Sequence, residues 1–446
     1  MGKITHVIKR SGAQVPFNPD RIANAIYRAA VAVGGRDKER SQRLAEKVVT
    51  YLEEHYGEGT APQIEEIQDA VEKILIENGH ASVAKAYILY REERAQKRQE
   101  KARRASIPSE NVPWAKIWGV LDWASSRGLD SISALNRRIE QNEFPHIVHE
   151  SEAAYEADLD MAAEMALGKI EKLRMIFISG PSSSGKTTTT IKLGERLQKH
   201  GLKLIALNVD NYFFDLEMHP KDEFGDYDFE TPQALDLELI NQHYSELIEG
   251  HEVKIPFYDF KTGSRKLDQT PMKLASDEIL LIDSLHGLYP PMTAGIDPDR
   301  MFKLYLEPLL QMRGPDDDYI RWTDLRLMRR MLRDAKYRAY NPQQTLEHWH
   351  YVRASELRNI IPYINTTDYI VNTGMPYELP IYRPMLLEYF EKWNTEYVDD
   401  PLHEDAYDRA SRVYRILKAV HAVEDDSSIP ASSVLREFIG GSCYEY

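Results

Sequence analysis

The 446-residue chain is long enough for two or three domains, and its 42% apolar and 28% charged residues are those of an ordinary globular protein. Its 56 Lys and Arg against 71 Asp and Glu give a formal charge of −15, which argues against nucleic acid as the main partner. The single cysteine, Cys443, excludes an intrachain disulfide and a cysteine-rich zinc site and fits a reducing cytosol; with no apolar signal core at Met1–His6 and no run near the ~18 apolar residues of a membrane span, a cytoplasmic protein without membrane contact is expected.

In chain order, residues 1–96 read as a small, mostly α-helical module. Thr5–Arg10 predicts a strand, Ser11-Gly12 a turn and Val15–Phe17 a second short strand. Asn18-Pro19-Asp20 then caps a helix that puts Ile22, Ala25, Ile26 and Ala29 on one face. Ser41–Tyr56, Pro62–Asn78 and His80–Arg98 follow as amphipathic helices. Residues 97–173 read as a helical connector. The basic stretch Arg91–Arg104 fits a nucleic-acid arm or a solvated helix end, and the lack of interleaved aromatics favours the second. Trp114, Trp118 and Trp123 have roughly helical spacing and are expected to pack on a neighbouring domain. Ala157–Leu173 predicts the helix that leads into the next block.

Residues 174–395 alternate strand and helix patterns. Met175–Ile178, Leu204–Val209, Ile279–Ile282, Met301–Leu306 and Tyr369–Val371 are apolar runs suited to a buried parallel sheet. The expected fold is α/β: a doubly wound parallel sheet with ligands at the carboxyl ends of its strands. Residues 396–446 read as a helical extension followed by a loose tail.

Gly180-Pro181-Ser182-Ser183-Ser184-Gly185-Lys186-Thr187 matches G-x-x-x-x-G-K-[ST] between a strand and a helix with Ile191, Leu193 and Leu197 at helical spacing. That context makes an anion cradle, because loop N–H groups point inward and the helix dipole favours negative charge. Gly180, Ser182, Ser183, Ser184, Gly185 and Thr188 would line it. Lys186 would reach the β- and γ-phosphates of ATP and the Thr187 hydroxyl would bind Mg²⁺. Asp210, ending the second strand, could take a proton from an attacking hydroxyl; the plain alternative is a turn aspartate. Asp283, closing an apolar strand, fits a Mg²⁺-binding carboxylate. Six arginines lie in Arg321–Arg338, and on a helix Arg326, Arg330 and Arg333 share one face suited to phosphate.

These segments, together with Asp226–Phe229, Pro256–Arg265, Asp283–Gly287 and Arg329–Asp334, resemble the uridine kinase and phosphoribulokinase family of P-loop small-molecule kinases, over nearly all of 174–375. The resemblance implies that Asp210 is the general base toward a nucleoside 5′-hydroxyl. It also implies that Asp228 and Arg330 hold ribose hydroxyls, that Tyr258 packs near the base, and that Arg333 and Arg338 belong to a lid over the phosphates. The residues that read the pyrimidine in uridine-cytidine kinases are replaced here by Gly263, Tyr340 and His348. A sugar phosphate or glycerate therefore stays open as acceptor, as does a nucleotide-sensing regulator with slow turnover.

Val7–Gly12, Pro16–Ile22, Ile64–Val71 and Ala84–Arg94 resemble the ATP-cone, an allosteric nucleotide-binding domain. By that resemblance Lys9, Arg10 and Arg21 meet phosphates, Asn18 meets the nucleoside end and Arg94 assists. ATP or dATP would then be an effector, acting through a homo-oligomer. Without the family, Lys9–Gly12 is an exposed basic hairpin.

Overall fold

The computed structural model describes residues 4–8, 14–57, 60–91, 111–220, 227, 230–337, 341–398 and 403–445. Lys9, Arg10, Arg94, Asp228, Arg338 and Tyr340 lie outside them. The chain divides into two compact units, 1–109 with 397–404, and 110–396 with 405–446.

In the first unit β1 (His6–Ile8) pairs antiparallel with β2 (Gln14–Pro16). The helices are α1 (Asp20–Ala32), α2 (Lys38–His55) and α3 (Ile64–Glu77), with 81–91 also helical. Asp37 caps α2 by accepting from the Arg40 N–H, and Gln63 with Glu66 forms a capping box on α3. The apolar stripes read from the sequence meet in one core, where Ile26, Val48, Leu52, Val71 and Leu75 are at most 1% exposed.

The second unit opens with α4 (Trp114–Ser126), α5 (Ile132–Glu140) and α6 (Phe144–Leu167). The expected helix start at Ala157 is thus corrected to Phe144: Pro145 suits a first turn, where its missing N–H costs nothing, and a buried stripe from Ile147 to Ala166 continues unbroken. Residues 110–173 belong to the same unit as the sheet that follows. Trp114 and Trp118, expected to pack, are instead 59% and 70% exposed.

The sheet runs β4 (Lys203–Asn208), β7 (Glu278–Ser284), β3 (Met175–Ser179), β8 (Met301–Glu307), β9 (Tyr369–Asn372), all parallel. All five residues of β3 are buried, as expected for a central strand covered on both faces. The register sets Ile178 beside Asp283 and Asn208 beside Asp283. The residues that follow β3, β4 and β7 therefore emerge at one edge. After β3 comes α7 (Lys186–Lys199); α8 (Leu237–Ile248) follows β4. β5 (Glu252–Asp259) and β6 (Ser264–Lys273) form an antiparallel hairpin. Its register shifts between Ile255 and Phe257, at Pro256, which has no N–H for the ladder. The remaining helices are α9 (Trp322–Tyr337), α10 (Pro342–Asn359), α11 (Glu378–Glu396), α12 (Glu404–Ala419) and α13 (Arg436–Ile439).

The C-terminal tail, expected to be loose, is packed into this unit. Val434, Leu435 and Phe438 are fully buried. The Tyr377 hydroxyl donates to Glu152 at 2.5 Å and lies 3.0 Å from the Ser433 hydroxyl. No helix among the described residues is long and apolar enough to cross a membrane.

Candidate functional site

The loop from Gly180 to Gly185 needs backbone shapes that ordinary residues avoid. Gly185 has φ of 87° and Ser183 has φ of 60°. A Cβ on Gly180 would sit 2.6 Å from the Leu306 carbonyl oxygen, so only glycine fits beside β8 there. The Oγ atoms of Ser183 and Ser184 are buried without a hydrogen-bond partner among the described residues. Lys186 Nζ donates to the Gly180 carbonyl at 3.0 Å. Unpartnered hydroxyls, a glycine-capped helix start and a lysine folded over the loop are what a phosphate chain would engage.

Two buried arginines fix the loop's outer side. Arg326 pairs with Glu307 at 2.8 Å and Glu356 at 2.5 Å and donates to the Ser182 carbonyl at 3.1 Å. Arg329 grips Glu378 in a two-bond fork at 2.6 and 2.8 Å. It also donates to the Thr373 carbonyl at 2.6 Å and the Ser183 carbonyl at 3.4 Å. Both are 0% exposed. This corrects the basic face expected of α9: Arg326 is spent on two glutamates and cannot take a ligand phosphate. Arg330 does face the loop, donating to the Ser182 hydroxyl and to Glu230, each at 3.2 Å. Arg333 is held by Asp334 at 2.9 Å. The role of Arg326 and Arg329 was missed because helical spacing cannot distinguish a guanidinium aimed at solvent from one aimed at buried carboxylates.

Asp210 follows β4 on a short 3₁₀ turn, Val209–Tyr212, exposed and with its N–H donating to Asn208 Oδ1 at 2.9 Å. Burial pushes the Asp283 carboxyl up to about 6, with Glu437 and Asp210 adding to the rise and Lys186 opposing it. Lys186, Glu437 and Asp210 are thus the charges that act on the Asp283 carboxyl. Thr187 and Asp283 offer hard oxygen ligands and no larger cage of His, Cys, Asp and Glu gathers among the described residues. That donor set fits Mg²⁺, which keeps waters and phosphate oxygens.

His286, two residues past β7, is 3% exposed. Burial first, then the Lys186 charge, lower its pKa to about 3, so it stays neutral, with the Glu230 backbone opposing. Tyr258 is 3% exposed, its hydroxyl has no hydrogen-bond partner among the described residues, and its ring lies among Phe213, Phe260 and a stacked His219 at centroid distances of 5.5, 4.9 and 6.1 Å. Sequence reading missed His219 because nothing local links it to the hairpin. Gly263 has φ of 66°, and a Cβ there would meet Leu216 Cβ at 2.9 Å. A side chain is therefore strained at the position where the resemblance to uridine-cytidine kinases implies a histidine. In the first unit, Asn18 Oδ1 accepts from the Asp20 N–H at 2.9 Å and Arg21 is exposed on the first turn of α1.

Residues 5–96 match the ATP cone domain model, and residues 175–379 match the model of the Phosphoribulokinase / Uridine kinase family. The chain joins an ATP cone to a phosphoribulokinase/uridine kinase family domain. Among curated relatives, a uridine kinase of Schizosaccharomyces pombe is 29% identical over 47% of this chain and 42% of its own length. The chain thus spans less than half of that protein, whereas it spans 87% of a Deinococcus deserti uridine kinase, 26% identical over 45% of this chain. A vitamin B12-dependent ribonucleoside-diphosphate reductase of Thermoplasma acidophilum is 41% identical over 22% of this chain and 13% of its own length.

Proposed function

We propose that this chain is an ATP-dependent kinase that transfers the γ-phosphoryl group to the 5′-hydroxyl of a nucleoside. One observation carries the reading: the glycine-capped loop with its buried Ser183 and Ser184 hydroxyls and Lys186 follows β3 at the same sheet edge where β7 brings Asp283 and β4 leads into Asp210. A phosphate chain in the loop sets its γ-phosphoryl beside Lys186, and Asp210 stands where an acceptor hydroxyl would approach. Asp210 takes the hydroxyl proton as the oxygen attacks the γ-phosphorus and ADP leaves. Mg²⁺ held by Thr187 and Asp283 would neutralise charge on the phosphate oxygens. Arg330, beside Ser182, and Arg333 would face the transferring group, with Arg338 in the lid above it. Tyr258 and Asp228 would hold the nucleoside. The absence of a histidine at Gly263 means that the base is read by other groups, His219 among those at hand.

The ATP cone supplies a second, non-catalytic nucleotide site in this reading. ATP or dATP bound by Lys9, Arg10, Asn18, Arg21 and Arg94 would set activity by changing how copies of a cytoplasmic homo-oligomer associate. The test is ADP release from Mg·ATP across a panel of nucleosides, with a sugar phosphate and glycerate alongside. Stimulation of at least tenfold by one or more nucleosides is expected. Stimulation by glycerate or the sugar phosphate alone would replace the acceptor class, and none by any acceptor would point to a sensor.

A further inference from the structure

The chain's C-terminal segment reaches the phosphate cradle. Glu437, on α13, is 6% exposed, and its Oε2 accepts from the Thr188 N–H at 3.2 Å and from the Thr188 hydroxyl at 2.9 Å. Thr188 is the third residue of α7, whose cap is Gly185. First-turn N–H groups have no partner within their helix, and a glycine cap offers no side-chain oxygen to fill the gap. In a P-loop these donors meet the nucleotide's phosphates. A carboxylate oxygen from the chain's own C-terminus here makes the hydrogen bonds a phosphate oxygen would make. Val434 adds a second contact: a Cβ on Gly185 would be 2.5 Å from its Cγ2, so this methyl lies directly on the loop.

The segment is held by α9, the helix that carries Arg330 and Arg333. The Arg329 guanidinium stacks over the Phe438 ring at 4.9 Å, and Lys336 Nζ donates to the Ile439 carbonyl at 2.9 Å. Gly440, with φ of 88°, passes Lys336 so closely that a Cβ would fall 1.8 Å from Nζ. Arg436 braces the near side by donating to Asp426 Oδ2 at 2.7 Å and the Ile429 carbonyl at 2.9 Å.

We propose that Ser433–Gly440 is an intramolecular competitor of the nucleotide: Glu437 occupies the cradle at Thr188, and ATP binds only as its phosphates displace that carboxylate and the segment withdraws. Two anions cannot share one donor pair, so the carboxylate and the phosphate exclude each other. The inference rests on ATP binding at the P-loop.

Calorimetry on the full chain gives the Kd for Mg·ATP in the unmutated protein, Glu437→Gln and Glu437→Ala. Both variants are expected to bind at least tenfold more tightly. An equal or weaker affinity in both would overturn the competitor. A second measurement uses the unmutated chain: a nitroxide on the exposed Cys443, six residues beyond Glu437 and hydrogen-bonded to Ala431. Saturating Mg·ATP should narrow its spectrum. An unchanged spectrum where calorimetry reports binding would overturn the withdrawal. If none of the three proteins binds Mg·ATP, the nucleotide site itself fails and the competitor with it. Binding that is present but indifferent to Glu437 refutes the competitor alone.

Discussion

Arg329 is fully buried yet paired, and that pairing is what the phosphate loop leans on. Removing one partner of a buried ion pair leaves a desolvated charge and typically costs about 3–5 kcal/mol. Arg329→Met should therefore lower the urea-unfolding free energy by that order, and adding Glu378→Gln should recover part of it. A loss under about 1 kcal/mol would mean that the fork contributes little. His286 gives a pH prediction. Its folded pKa of about 3 lies below the unfolded value of 6.5, so the unfolded chain binds more protons between them. Its neutral burial costs nothing above pH 6.5, and stability is lost as pH falls from 6.5 toward 3, by about 2 kcal/mol at pH 5. His286→Gln should remove that part of the acid sensitivity; melts at pH 7.5 and 5 that shift alike in both proteins would contradict it.

Among the elements, the β5–β6 hairpin shows why the site resists reading from a string. The strand runs, the Gly-rich loop and Asp283 were legible because each is local: an apolar run, a glycine spacing, an acid at a strand end. The left-handed backbone of Gly263 and its contact with Leu216 join residues 47 apart, and no periodicity reports that. Gly263→His should cost about 1–3 kcal/mol through backbone strain and the Leu216 clash. An unchanged thermal midpoint would show that the turn can refold around a side chain. The C-terminal segment misled for the same reason. Ser433–Ser442 has polar and glycine residues that read as loose, but Val434, Leu435 and Phe438 are buried, Val434 against Gly185 at the cap of α7 and Phe438 under Arg329 of α9. Arg326 shows the limit for charge: its helix face was legible, and the glutamates from β8 and α10 that neutralise it were not.

At the scale of the whole molecule, two nucleotide-binding patterns stand on one chain, and the two compact units correspond broadly to them. In the proposed function the P-loop turns its nucleotide over, so a lasting signal would need the second site. Coupling between two sites is typically about 1–3 kcal/mol, or roughly 5–150-fold. Lys9→Ala with Arg10→Ala should abolish the response of initial rate and oligomeric mass to dATP or ATP while leaving P-loop affinity intact. A response unchanged in the double variant would make the ATP cone structural only. The most direct test of the central claim follows the phosphoryl group itself. Full-length protein is incubated with γ-labelled Mg·ATP and the best nucleoside acceptor, beside Asp210→Asn. The account predicts a labelled nucleoside 5′-monophosphate from the unmutated chain, and from Asp210→Asn retained ATP binding with turnover reduced at least a hundredfold. Label that appears only as inorganic phosphate, or near-normal transfer by Asp210→Asn, would contradict it.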